Sequence, residues 1–516
     1  MKKLLAKKYT AICLAGGLLL AGCTKDFLEI NTNPSSYTPA NYDPNFLFTS
    51  AQLTYTGSRD NGYEVWRSNL GVSSSMMQQL TSTVANWPGD KYVQNEGFTA
   101  AYWGTAVSGA YIEQVNPIVE VVKFTEGKEK YKNLYQMARI MRAMILQRIT
   151  DQYGDVPYFN AGLGLYSQVY FPVYDEQSKI YADLLKEIEE ATNALDPAGD
   201  KPPGDLYYNG DVEKWKRFGN TLLLRTAMRL TKVAPATAQE YVKKVVGKTM
   251  QDNSDNALVK HDASGGRVTV NRFSLVFGLN DIAPFTRLSK TYIDFLKNNN
   301  DPRLGVIAQL GNGDRTPANQ KGMPNGYDQQ GGPNNITNAP GFTGLNDYSF
   351  VSPPFLKLDA PTLALTYAEA ELLLADAAQR WNIAGSAQTH YDNGVKAAIT
   401  QYSVFGADAA VEDNAAAAYL AAHPYNAAKG LEMINTQFWA ATLFNGYEAW
   451  NNWRRTGYPQ LTPVAYPGNL TNGTIPRRLT YPLAEASDNP VNYKKASESV
   501  PGGDKLTSRV WWDTAN

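Results

Sequence analysis

From residue 44 onward, apolar residues recur at steps of three and four, the period of a helix with one buried face. Asp43-Pro44, a cap followed by a first-turn proline, opens the first such stretch through Phe46, Leu47, Ala51 and Leu53. Val65, Trp66, Leu70, Met76, Met77 and Leu80 predict a second helix, closed by the turn cluster Asn86-Trp87-Pro88-Gly89-Asp90. A third is predicted from about Phe98 to Phe124, with Pro117 expected to kink or break it. The cleanest spans 129–151, where Leu134, Met137, Met141, Ile145 and Ile149 share a face, and it should stop at Gly154. Further helices are predicted from Glu176 to Leu195, from Asp211 to about Val233 and from Pro235 to Val246.

At about 250 the pattern is lost. Gly, Asn, Asp and Pro dominate to 359, and only Leu288 to Asn298 keeps a helical period. So long an irregular stretch inside a folded chain is usually functional, and its scattered Tyr and Phe favour an ordered one. Helical periodicity resumes at Ala360, where Leu365, Ala368, Leu372, Leu373 and Ala375 line one face. Helices follow over 386–403 and 408–421, with a final one over 429–444. The end, from 456, is turn-rich with brief β-like runs. Neighbouring helices joined by short turns read as degenerate helical-hairpin repeats without a strict 34-residue period. The expected fold is therefore mainly α, one domain over 44–516. Its helical scaffold occupies 44–249 and 360–455, a loop-rich insertion 250–359, and an irregular segment 456–516.

The N-terminus carries a different signal. Lys2, Lys3, Lys7 and Lys8 precede an apolar run from Ala11 to Leu20, too short to span a bilayer core of about 30 Å. Leu20-Ala21-Gly22-Cys23 then fits a lipoprotein processing site. Residues 1–22 read as a signal peptide, Cys23 as the lipidated residue, and 23–43 as a tether broken by Asn31, Asn33, Pro34 and Pro39. Three acyl chains at about 0.8 kcal/mol per buried CH₂ make a durable membrane anchor. Thr24, where inner-membrane lipoproteins typically carry Asp, favours the outer membrane, and Lys25-Asp26 with Glu29 favour a place facing the cell exterior.

Composition narrows the chemistry. Hydrophobic residues are 43% and charged residues 19%, which suits a packed body. A net charge of −1 gives no reason to expect nucleic acid as a partner. With Cys13 in the signal and Cys23 lipidated, no internal disulfide is available, so a large core must hold the fold. Only His261, His390 and His423 exist, without metal-ligand spacing, so no metal site and no cofactor are called for; the Asp/Asn loops leave a structural calcium open. The 32 Tyr and 10 Trp against 18 Phe supply rings with a polar tip, suited to wet amphipathic ligands such as sugars.

Several short motifs stand in a fixed order. Tyr153-Gly154-Asp155-Val156-Pro157-Tyr158 follows the long helix, and the run from Phe218 to Arg229 follows Trp215-Lys216-Arg217. Asp301-Pro302-Arg303 and Thr366-Tyr367-Ala368-Glu369-Ala370 come next. Tyr447-Glu448-Ala449-Trp450, Arg454-Arg455-Thr456-Gly457-Tyr458-Pro459, and Arg477-Arg478-Leu479-Thr480-Tyr481-Pro482 with Glu485 and Asn489 close the series. In this order, behind a lipidation site, the chain resembles the SusD/RagB family of nutrient-binding outer-membrane lipoproteins, in its SusD-like branch. The resemblance implies a fold of four tetratricopeptide-like helix pairs. It also implies capture of a glycan, or an oligopeptide, for a SusC-like TonB-dependent transporter over which the lipoprotein sits as a lid. It implies no catalysis.

Most of these motifs read as structural. Four arginines, Arg454, Arg455, Arg477 and Arg478, are expected in ion pairs that fix tails onto helices. Glu369, Glu371 and Glu448 invite an enzyme reading, because glycosidases need two carboxyl groups about 5–10 Å apart. Yet Glu369 and Glu371 point about 200° apart on a helix, which favours capping and surface roles. The alternative function is a surface glycoside hydrolase on a helical scaffold, and a purely structural lipoprotein would have no aromatic cleft. The ligand candidates are aromatics on turns with polar neighbours: Trp87 with Asn86, Asp90 and Tyr92, then Tyr327 and Tyr348 in the insertion. The competing reading makes Trp87 a loop plug. Trp103, Trp215, Trp439 and Trp450 are expected in the core.

Overall fold

The computed structural model describes residues 42–59, 63–104, 108–278 and 282–515. The signal peptide, Cys23 and nearly all of the tether lie outside the described residues. Residues from Asn45 onward form one compact unit.

The principal helices are α1 Pro44–Tyr55, α2 Asn116–Thr125, α3 Lys132–Tyr153, α4 Gln177–Asn193, α5 Val212–Arg229, α6 Pro235–Val245 and α7 Lys290–Asn298. They continue with α8 Tyr367–Trp381, α9 Ala387–Thr400, α10 Asp413–Ala422, α11 Gly430–Ala441, α12 Gly446–Thr456 and α13 Pro490–Ser499. Consecutive helices pack together, among them the pairs α2 with α3, α4 with α5, α8 with α9, and α11 with α12. Contacts of α3 with α4, α5 with α8, and α8 with α11 join the pairs, and α12 returns onto α3. The helices start where side chains can cap them. Asp211 accepts from the Lys214 amide at 3.1 Å, Ser289 from Tyr292 at 3.1 Å, and Thr366 from Glu369 at 3.2 Å. α3 ends at Gly154 with φ +87°, a conformation that favours glycine.

The structure corrects several expected boundaries. The second helix is π-helical over Val65–Ser74 and stops before Leu80, which lies in a strand. Pro117 does not break the third. The turn before it, Tyr111–Val115, is π-helical, and the proline falls in the first turn of α2, where a missing N–H is tolerated. Helical structure resumes at Tyr367 rather than Ala360, because Thr362–Leu365 is a strand. α12 and α13 were not separated from their surroundings by periodicity: Asn445-Gly446 interrupts the pattern before one, and the other is mostly polar.

The insertion is ordered by three antiparallel strand pairs: β1 Leu80–Ser82 with β3 Thr286–Leu288, β2 Ala257–Val259 with β6 Thr362–Leu365, and β4 Ala308–Gln309 with β5 Phe350–Val351. Two of these pairs tie it to the scaffold on either side. Met323, Ile336, Ala339 and Tyr348 give it a small core of its own.

The helix pairs are cross-linked by buried charge. On α5, Arg229 reaches Asp151 of α3 at 3.2 Å and Glu448 of α12, while Arg225 reaches Glu369 of α8 at 2.7 Å. Trp512 near the C-terminus donates to Asp151 at 2.9 Å, and the Arg454 guanidinium donates to its carbonyl at 2.6 Å. Arg477 pairs with Asp513 and Arg478 with Asp504, so the final segment is fixed to the helices by charge. Glu369 and Glu448 are thus buried ion-pair members, not the capping and surface residues expected. Glu371 is likewise buried, against His390 at 2.8 Å.

Asp376 of α8 has the same character, with Arg455 at 3.1 Å, Arg380 at 2.5 Å and Asn435 donating at 2.8 Å. Burial alone would raise its pKa, but the two guanidiniums outweigh that and hold the carboxyl well below its ordinary value. A depressed carboxylate adds stability that is present above the unfolded value of about 3.9 and is lost as pH falls through the folded one. Asp376→Asn is therefore expected to be less stable than wild type at pH 7. The gap should narrow as denaturation is measured from pH 5 toward pH 2.

Candidate functional site: an aromatic groove beside the first helix pair

The predicted ligand cluster at 86–92 is largely closed. Trp87 is 1% exposed and packs toward Phe98, with ring centroids 6.4 Å apart. Tyr92 is 1% exposed, burial pushes its hydroxyl up to about 12, and its carbonyl accepts from Leu470 at 3.0 Å. Asp90 is fully buried, bonded to Thr81 at 2.8 Å and Lys91 at 2.7 Å. Only Asn86 is exposed, and its carbonyl accepts from Asn95 at 2.9 Å. The cluster braces β1 against the 464–470 loop, so Trp87 is the plug. In the insertion, Tyr348 is buried in the small core and Tyr327 packs half-buried against it. These six positions therefore do not form one ligand face.

Open aromatic surface lies elsewhere, in a groove of about 890 Å³, within the range of small-molecule sites. One wall comes from the turn at 96–104 and from Tyr111–Val115 with α2, a second from 157–172, and a third from 482–489. Trp103 and Tyr111 form its floor, with centroids 4.9 Å apart, and Trp103 stacks on Tyr174 at 5.6 Å. Tyr170, 69% exposed, and the exposed Leu165 and Leu483 stand at its rim, with Phe171 and Tyr166 also exposed in the same segment.

This rim is held by polar contacts rather than by regular structure. Tyr111 donates to the Pro157 carbonyl at 2.9 Å, and Asn489 to the Pro172 carbonyl at 2.7 Å. Tyr166 donates to Glu120 at 2.6 Å, and the Leu483 amide to Glu96 at 2.7 Å. Glu485 accepts from the Trp103 indole at 3.3 Å and from the Tyr174 hydroxyl at 2.5 Å. Burial raises the Glu485 pKa, and the same desolvation plus this carboxylate raises that of Tyr174. Floor and rim are thus fixed to each other before any ligand arrives.

Other concavities offer less. One of about 800 Å³ borders Tyr207, Tyr208, Lys214 and His261, but both rings are buried. One of about 630 Å³ lies under the C-terminal segment, where Tyr153 and Tyr481 are buried. Among the described residues, no group of three or more His, Cys, Asp or Glu side chains gathers as metal ligands would.

Residues 36–482 match the SusD-like family described as starch-binding and associating with the outer membrane. This chain belongs to the SusD-like family. A solved structure described as a chitin-binding protein is 34% identical, with TM-score 0.81, over 92% of this chain and 100% of that one. A SusD homologue from Bacteroides thetaiotaomicron VPI-5482 is 25% identical, with TM-score 0.71, over 92% and 100%. A chitin-binding SusD homologue from Flavobacterium johnsoniae is 23% identical, with TM-score 0.75, over 92% and 99%, which shows the shared fold. No curated protein matches the chain. The SusD-like assignment accounts for the helix pairs as a tetratricopeptide-like scaffold. No helix among the described residues is long and apolar enough to cross a membrane.

The groove residues of this SusD-like chain were missed in the sequence because 157–172 lies between two clear helices and has no period. The signal was present all the same: Tyr166, Tyr170 and Phe171 crowd a stretch bounded by Gly162, Gly164 and Pro172. That is the same combination of rings and turn residues that drew attention to Trp87. Burial tells the two apart, and burial depends on contacts far away in sequence.

Proposed function

We propose that this chain is a lipid-anchored cell-surface protein that captures glycan in the 157–172 groove and delivers it to a SusC-like TonB-dependent transporter. The observation that carries the reading is the exposed Tyr170 ring above a floor of Trp103 and Tyr111. A sugar ring offers C–H bonds to an aromatic face while its hydroxyls reach the carboxylates and amides alongside. Family membership supports the outer-membrane setting and the transporter partner, and the chitin-binding relatives support an N-acetylglucosamine oligosaccharide as ligand. Lipidation at Cys23 supplies the anchor.

Binding without catalysis fits the carboxylates. Glu369 and Glu448 are buried against arginines, and Glu96, Glu120 and Glu485 each accept a hydrogen bond from the groove's own wall. The test is calorimetry of the protein from Thr24 onward against chitohexaose, starch and cellulose oligosaccharides and oligopeptides, with product analysis on every sample. Binding of a glycan without turnover is the expected result. Cleaved product would overturn the reading in favour of a glycoside hydrolase.

A further inference from the structure

The groove is unbalanced in charge. Its lining carries four carboxylates, Glu96, Glu120, Glu485 and Asp488, against one guanidinium, Arg67, and no lysine among the described residues. Arg67 is turned onto the rings of Tyr63 at 4.5 Å and Trp66 at 5.2 Å, and donates to the Gly97 carbonyl at 3.2 Å. Asp488 is exposed and the other three acids are half-buried, where charge is screened less than on open surface.

A neutral glycan needs hydrogen-bond partners, which amides and hydroxyls provide without excess charge. Covering several carboxylates with a neutral ligand costs desolvation and returns no Coulomb energy. An acidic polysaccharide would add repulsion. A ligand with apolar ring faces and ammonium groups matches both halves of the groove: rings for Tyr170 and Trp103, charge for the carboxylates. The site itself rests on the exposed ring and the open volume, and the acids decide between ligands.

We propose that the groove selects amino-sugar glycans carrying free ammonium groups, that is, glucosamine oligosaccharides or deacetylated stretches of a chitin-like chain, over neutral and acidic glycans. This inference rests on the groove being the glycan site.

The experiment is calorimetry at pH 6, where the amines of a glucosamine oligosaccharide are mostly protonated. The protein from Thr24 onward retains the compact unit that carries the groove. It is titrated with glucosamine hexasaccharide, N-acetylglucosamine hexasaccharide, a uronate hexasaccharide and hexalysine, at low salt and at high salt. The glucosamine hexamer is expected to bind at least tenfold tighter than the acetylated one at low salt, the ratio shrinking at high salt, with no uronate binding. In a Glu120→Gln/Asp488→Asn variant, whose side chains keep an acceptor oxygen, the ratio should fall toward one. Asp488→Asn alone, at an exposed position, should shift the ratio part-way and guards against misfolding of the double variant.

Equal or weaker binding of the glucosamine hexamer overturns the inference, as does a ratio that both variants leave unchanged. Tighter binding of hexalysine overturns it in favour of a cationic peptide. If the acetylated hexamer still binds and loses affinity in Tyr170→Ala, the capture reading survives those outcomes. If neither glycan binding nor a Tyr170 effect is seen, the capture reading itself fails.

Discussion

Glu448→Ala is expected to destabilise the protein by about 3–5 kcal/mol, the usual cost of stranding a buried charge by removing its partner. Glu448 lies among Arg229, Arg225 at 3.7 Å and the Asn451 amide at 3.3 Å, all of them buried. Burial would raise its pKa, yet the two arginines prevail and hold the carboxyl down to about 2. Removing it leaves two buried guanidiniums close together, with Glu369 and Asp151 as their only close carboxylates among the described residues. Because the network joins α3, α5, α8 and α12, one helix of each of these pairs feels the loss directly. Urea denaturation checks this: the midpoint should fall strongly. Glu498→Ala, which removes an exposed partner of Lys494 at 3.9 Å, should change stability by less than about 1 kcal/mol. Equal effects would mean that the buried network does not carry the packing of the pairs.

The second large effect is on binding. Tyr170→Ala is expected to weaken glycan affinity about 10- to 100-fold, the loss of about 1.4–2.8 kcal/mol for truncating an aromatic anchor. Stability should stay within about 0.5 kcal/mol, because the ring is mostly exposed and nothing collapses when it is removed. Trp87→Phe is the informative companion. It alters a buried ring 1% exposed, so it should lower stability and leave affinity unchanged. Calorimetry and thermal denaturation on the same samples separate the two effects. The reverse pattern would return the ligand site to the 86–92 turn.

The scaffold was legible because its signals are local. The face of Leu134, Met137, Met141, Ile145 and Ile149, the Asp211 cap and the stop at Gly154 need only a few neighbouring residues. The strand pairs were not, since β2 and β6 meet across more than a hundred residues and each is three or four residues long. The fate of the acids was half legible. Glu369 and Glu371 do face apart, but that Glu369 would meet Arg225 depended on α5 and α8 packing together. The burial of the ring candidates was hidden for the same reason. Trp87 and Tyr170 look alike in sequence, each an aromatic among turn residues. Phe98 packs toward the first, which is buried, whereas the second stays mostly exposed.

The most direct test of the central claim is a crystal structure of the protein with chitohexaose, or with whichever hexasaccharide binds tightest in calorimetry. Sugar density is expected over the Tyr170 ring, between the 157–172 and 482–489 walls and above Trp103 and Tyr111. Density on the Tyr207–Tyr208 face or at the 86–92 turn, with the groove empty, would contradict it.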